Sequence, residues 1–194
     1  MIKIIRYSIG LLFIVGSISA NASVLNAGFE DGNLSPWFQD RVFSSGEDWN
    51  VTNTDAHTGL FSATNTGNKE IRQNFAGVLT DSITGLSFWA KHDNTNGSAL
   101  FVDLFYSDNT DTGFIVNTVG TGWEFFDVAN NLLLGKTLVG FSIFGNSTGC
   151  DNNCTRTFLD DVAIVSAVPV PAAFWLFGSA LLGFFGFSKA RKQS

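Results

Sequence analysis

The stretch Ser82-Ile83-Thr84-Gly85-Leu86-Ser87-Phe88-Trp89-Ala90-Lys91 decides the fold. From Leu86 onward it alternates, with Leu86, Phe88 and Ala90 on one face and Ser87, Trp89 and Lys91 on the other. Successive strand side chains point to opposite sides of a sheet, so this period of two predicts a half-buried strand; a helix would repeat about every 3.6 residues. Working outward, the same pattern recurs at 60–64, 71–75, 99–106, 113–119, 124–128, 137–144 and 157–165. Each run is rich in Phe, Val, Ile, Thr or Trp, and clusters of Gly, Asn, Asp and Ser separate them. Ser107-Asp108-Asn109-Thr110-Asp111-Thr112-Gly113 has the composition of a hairpin turn between two of the runs. No long stripe of helical period interrupts them. The prediction is an all-β domain, a two-sheet sandwich or jelly roll.

Charge divides the chain into three. All 17 acidic residues lie within 23–167, where only Arg41, Lys69, Arg72, Lys91, Lys136 and Arg156 offset them, leaving a net charge of −11; both ends are purely basic. An acidic domain of this size can bury a real core, and it carries the wrong sign for nucleic acid. A solvated acidic surface and divalent-cation binding are the two readings of that charge.

At the front, Lys3 and Arg6 precede an apolar stretch at 9–15, and Ala20-Asn21-Ala22 supplies the small residues of a cleavage site. Residues 1–22 thus read as a secretory signal peptide, with the mature chain starting at Ser23; a retained signal anchor is the alternative. Export makes Cys150 and Cys154 candidates for a small disulfide loop, since that compartment is oxidising. Zinc, the other use of such a pair, would have only His57 and His92 to complete its ligands.

Residues 167–194 read as an address. Val168-Pro169-Val170-Pro171-Ala172-Ala173 leads into an apolar run at 172–187, and Lys189, Arg191 and Lys192 follow it. The prolines favour an extended strip before the run. As a helix the run would reach about 25 Å, enough for a short transmembrane span, and the three cations would hold its far end in the cytoplasm. The order and wording VPVPAAFWLFGSALLG resemble the PEP-CTERM sorting signal in its VPxPAA variant, with Val170 where the named motif has glutamate. That resemblance implies an exosortase as partner, transient anchoring in the inner membrane of a Gram-negative bacterium, and final residence at the cell surface or in an exopolysaccharide matrix. A plain permanent anchor is the alternative.

The domain opens with Val24-Leu25-Asn26-Ala27-Gly28-Phe29-Glu30 and Leu34-Ser35-Pro36-Trp37, and closes with Phe158-Leu159-Asp160-Asp161-Val162. With Ser87-Phe88-Trp89-Ala90-Lys91-His92-Asp93 between, these stretches resemble the galactose-binding-like jelly rolls of carbohydrate-binding modules, over most of 23–166. Domain ends often lie close together, so Glu30, expected on a first strand, and Asp160 on the last could share a calcium ion. A structural calcium at Asp160, the first of the aspartate pair, is also what the resemblance implies. Neighbouring strand residues point apart, so Asp160 and Asp161 could join one site only through a bulge. The alternative is that Glu30 and Asp160 are solvated strand ends or pair with a base such as Arg156.

No catalytic constellation assembles: the sequence has no GxSxG elbow, no HExxH and no phosphate loop. The fourteen Phe and four Trp of the domain must mostly be core, and Trp37 and Trp123, flanked by turn residues, could pack or bind. Trp89, on the polar face beside Ser87 and Lys91, is the candidate sugar platform; a Trp covered by a neighbouring loop is its rival. The sequence therefore predicts an exported, exopolysaccharide-associated protein that binds glycan and is not an enzyme. A matrix protein that binds no glycan, or a hydrolase of matrix polymer, stands as the alternative.

Overall fold

A computed structural model describes residues 23–42, 46–93, 98–145 and 155–167. They form nine strands in two antiparallel sheets: β1 (Asn50–Thr52), β2 (Ser62–Asn65), β3 (Glu70–Leu79), β4 (Ile83–His92), β5 (Ser98–Tyr106), β6 (Asp111–Thr118), β7 (Glu124–Asp127), β8 (Thr137–Phe144) and β9 (Thr157–Ser166). One sheet runs β1-β2-β9-β4-β7 and the other β3-β8-β5-β6. The alternation in β4 places Leu86, Phe88 and Ala90 in the core, opposite Leu100, Val102 and Leu104 of β5, which alternate in the same way. Phe88 reaches across to Phe141 of the other sheet, ring centres 5.9 Å apart and tilted, a favoured aromatic geometry. His92 continues the inner face of β4; it contacts Thr118 of β6 at 2.7 Å and Thr157 of β9 at 3.0 Å.

Eight of the nine strands fall on the predicted runs; β1, three residues long and beginning with Asn50, gives too little alternation to be read. The hairpin at 107–110 is present, with Asn109 in the left-handed region and the Tyr106 N–H bonded to the Thr110 carbonyl.

Two expectations about the domain's ends need correction. Residues 24–30 are a chain of turns rather than a first strand: Asn26 and Phe29 both take positive φ, and the Asn26 side chain donates to the Asn33 and Ser35 carbonyls. Asparagine tolerates that conformation and organises the backbone around it, which outweighs the apolar pattern. At the other end, Asp161 takes φ of +47° and the register of β4 with β9 slips between Ser87 and Trp89. This bulge cancels the expected opposition of Asp160 and Asp161: both carboxylates act on residues 57 and 58.

Candidate functional site

The outer face of the five-stranded sheet holds Ser87, Trp89 and Lys91 together, as alternation requires. Trp89 is not bare. The His57 ring stacks on it at 3.7 Å and 15°, and Phe125 of β7 tilts against it at 5.4 Å. Lys91 forms an ion pair with Asp55, whose carboxylate also accepts from the Trp123 indole N–H at 3.0 Å. Residues 55–58 therefore lie over the predicted platform, and Trp123 sits edge-on to His57 at 5.8 Å.

Three carboxylates hold the end of that segment and the residues that follow it. Asp160 accepts the N–H groups of His57 (2.8 Å) and Thr58 (3.3 Å), and Asp161 accepts from the His57 ring and the Thr58 hydroxyl at 2.7 and 2.9 Å. Glu30 accepts the N–H groups of Leu60 and Phe61, each at 3.0 Å. Gly59 makes this possible: its φ is +64°, and a Cβ there would run into the Glu30 carboxylate.

Glu30 and Asp160 are the residues expected to share calcium, and both flank Gly28. A Cβ at Gly28 would lie 3.4 Å from one Asp160 oxygen, 3.3 Å from one of Asp161 and 3.7 Å from Glu30 Cγ. Asp160 is fully buried, and burial pushes its carboxyl up to about 6, the nearby Asp161 charge adding to this against the N–H bonds. Asp160 accepts N–H groups and pairs with no cation among the described residues, and beside a second carboxylate it suits a hard oxygen-seeking ion in donor type and charge. Among the described residues, no group of three or more His, Cys, Asp and Glu side chains is placed to hold a metal. Further ligands would have to be backbone carbonyls. Arg156, the alternative partner, pairs with Glu47 instead. Cys150 and Cys154, the sorting strip from Val168 to Ala173 and the basic end lie outside the described residues.

The outer face of the four-stranded sheet was not singled out from sequence. Arg41, on a segment that bridges to Arg72 of β3 through Phe38 and to Lys69 just before β3 through Val42, extends across the sheet. Its guanidinium grips Glu70 at 2.9 and 3.0 Å and also pairs with Asp103 of β5, 62 residues away. Burial alone would raise the Glu70 carboxyl, but the bonds and charge of Arg41 outweigh it and hold it below its ordinary range. Beside it, the Arg72 guanidinium lies 3.7 Å from the Phe105 ring centre and donates to Asn74 at 2.9 Å, while Arg41 lies 4.7 Å over Phe144. Planar cations over rings, with carboxylate and amide oxygens between them, can stack on a flat apolar surface and bond to hydroxyls at its rim.

Alternation in β5 could have found this face. Phe101, Asp103 and Phe105 share the side opposite Leu100, Val102 and Leu104, and a strand that interleaves aromatics with a charge on one face is unusual for a merely solvated surface.

No protein-family model matches the chain, and no curated protein does. Solved structures do match in fold. A family 61 carbohydrate-binding module in complex with β-1,4-galactotriose is 18% identical, with a TM-score of 0.52 over 76% of this chain and all of that one. The CBM22-1 and GH10 modules of Clostridium thermocellum xylanase 10B, complexed with xylohexaose, give 14% and 0.54 over 75% of this chain but only 29% of that one. The enzymatically active domain of bacteriophage CBA120 tailspike protein 4 gives 14% and 0.54 over 75% of this chain and 21% of that one. At these identities what is shared is the fold, a two-sheet jelly-roll sandwich.

Proposed function

We propose that this chain is a non-catalytic glycan-binding module, exported and sorted to the cell surface or exopolysaccharide matrix. The observation that carries the reading is the outer face of the four-stranded sheet, where Arg72 lies over Phe105 and Arg41 is locked to Glu70 and Asp103. Sugar rings have apolar C–H faces bordered by hydroxyls, and this face offers a stacking surface beside fixed donors and acceptors. A binding face that is already held by ion pairs loses little freedom when a ligand arrives. Affinity electrophoresis against the host's own exopolysaccharide and a panel of β-glycans tests it. Arg72→Ala and Asn74→Ala should weaken binding at least about tenfold, equivalent to roughly 1.4 kcal/mol, with the fold intact by circular dichroism. Parent-like binding by both variants would remove this face from the reading. Release of reducing sugar by the parent would point to a hydrolase, and no binding to any glycan to a purely structural matrix protein.

Trp89, Ser87 and Lys91 are a second glycan surface, supported by Phe125, which is 54% exposed beside Trp89. A ligand there would have to meet the edge of the indole or displace His57. Calcium, held by Glu30 and Asp160, would be structural: it would neutralise the buried carboxylate and fix residues 57–61. Exosortase would act on the strip from Val168 to Ala173, with Lys189, Arg191 and Lys192 orienting the span; comparing the C-terminal mass of the protein from hosts with and without the enzyme tests this.

A further inference from the structure

β9 finishes at an end of the sandwich that carries exposed leucines: Leu79 is 62% exposed, Leu133 40% and Leu134 80%. Leu79 closes β3, paired with Thr137, and Leu133 and Leu134 lie on the turn before β8. Hydrogen bonds from the Thr80 N–H to the Lys136 carbonyl (3.0 Å) and from the Gly135 N–H to the Asp81 carboxylate (2.9 Å) fasten the two turns together. The Ala167 N–H, at the last described residue, donates to the Ser82 carbonyl at 2.7 Å in that same group of turns. The chain therefore leaves the domain beside the leucines. Only residues 168–171 separate Ala167 from the apolar run at 172–187, a stretch that spans about 14 Å at full extension.

We propose that Leu79, Leu133 and Leu134 form a lipid-contacting tip that seats the domain on the bilayer surface while the tail is attached. The proposal rests on reading 172–187 as a membrane span, and the short connection then keeps this end of the domain at the headgroup layer. Attraction at the tip is apolar. Lys136 is paired with Asp108, and Asp81 is taken up by the Gly135 N–H, so anionic headgroups gain no free cation from these residues and a zwitterionic surface suffices. Seating would hold Val168 to Pro171 at the membrane surface, where a membrane enzyme acting on that strip has to find it.

Val119 supplies the control. It is also 80% exposed, but it follows Thr118, which pairs with Ser98 at the start of β5, the end of the sandwich opposite Tyr106, whose hydroxyl accepts the Leu133 N–H. The full chain is reconstituted into phosphatidylcholine vesicles with a benzophenone photo-crosslinking residue replacing either Leu134 or Val119, and floated on a density gradient. Lipid adducts several-fold more abundant at position 134 than at 119 are expected. Equal yields in a chain that floats, or a protein–protein adduct at 134 that marks a second copy as the occupant, would overturn the tip while leaving the span intact. A chain that does not float would overturn the span, and the tip with it.

Discussion

On the outer face of the four-stranded sheet, Arg41 is 40% exposed while its partner Glu70 is fully buried; on the outer face of the five-stranded sheet, Lys91 is more buried than the Asp55 it pairs with. The first arrangement turns Arg41 outward over the Phe144 ring and hides Glu70 and Asp103 beneath it. The second folds cation and aromatics under a covering segment, with His57 on Trp89 and Asp55 on Lys91. Aromatic and charged residues occur on both faces, so composition does not separate a presenting face from a sealed one. What separates them is the cover: residues 55–58 lie over Trp89 and Lys91, whereas the half-exposed Arg41 stands above its own buried partners.

The comparison holds only while both sheets stay together, and His92 is one of the links between them. Burial pushes its imidazole down to about 4 from an ordinary 6.5, so the folded state holds it neutral between Thr118 and Thr157. Between those values the unfolded chain binds a proton that the folded one refuses. Its contribution is therefore complete above about pH 6.5 and is lost as pH falls toward 4, on the order of 3 kcal/mol in all. Asp160, its carboxyl pushed up to about 6, gains stability as pH falls through the same window and offsets part of this loss. The His92 share is therefore read as the difference between parent and His92→Gln in urea unfolding at pH 7 and 4.5, the variant losing less on acidification. An unchanged slope in the variant would place the acid sensitivity elsewhere.

Arg41→Ala comes next in size. It leaves Glu70 and Asp103 as adjacent buried carboxylates with their shared cation gone. A fully buried pair broken in this way costs about 3–5 kcal/mol, and the exposure of Arg41 lowers the expectation to about 2. A thermal melt of the variant measures it. A loss under about 0.5 kcal/mol would mean that water screens the network and that the face is less rigid than its geometry suggests.

Trp89→Ala should cost less, about 1–2 kcal/mol, for a half-buried ring that loses its stack on His57 and its contact with Phe125. A core tryptophan would cost about 3–5, so the melt distinguishes a sealed face from a core position. If the variant also loses glycan binding while Arg72→Ala does not, the roles of the two faces are reversed.

The strands were legible because period two is a local signal: the alternation of β4 and of β5 survives intact in the fold. The site was legible only where it stayed local. Trp89 was placed on the correct face, but its cover comes from 55–58, held by carboxylates about a hundred residues away in sequence. Arg41 was invisible for the same reason, since its partners lie 29 and 62 residues downstream. The bulge at Asp161 is the exception that lets both aspartates reach one segment, and no local feature of the sequence marks where it falls.

Lys91→Ala is the smallest effect and the most discriminating, because it acts on the sealed face without touching the stack on Trp89. The ammonium it removes pairs with Asp55 and lies 5.0 Å from the Phe158 ring centre and 5.7 Å from that of Trp123. Asp55 keeps the Trp123 indole N–H and partial access to water, so the carboxylate left behind is neither unpaired nor deeply desolvated. The expected loss of stability is therefore below about 1 kcal/mol, in the range of exposed ion pairs. What should change is mobility: with one tether of 55–58 gone, hydrogen exchange at the amides around Asp55 should speed up, while that of His57 and Thr58, still bound to Asp160, stays slow. Glycan affinity decides what the cover does. Affinity that rises in Lys91→Ala would mean that 55–58 masks a usable Trp89 surface, whereas affinity that stays at the parent value leaves the face sealed and binding confined to the four-stranded sheet.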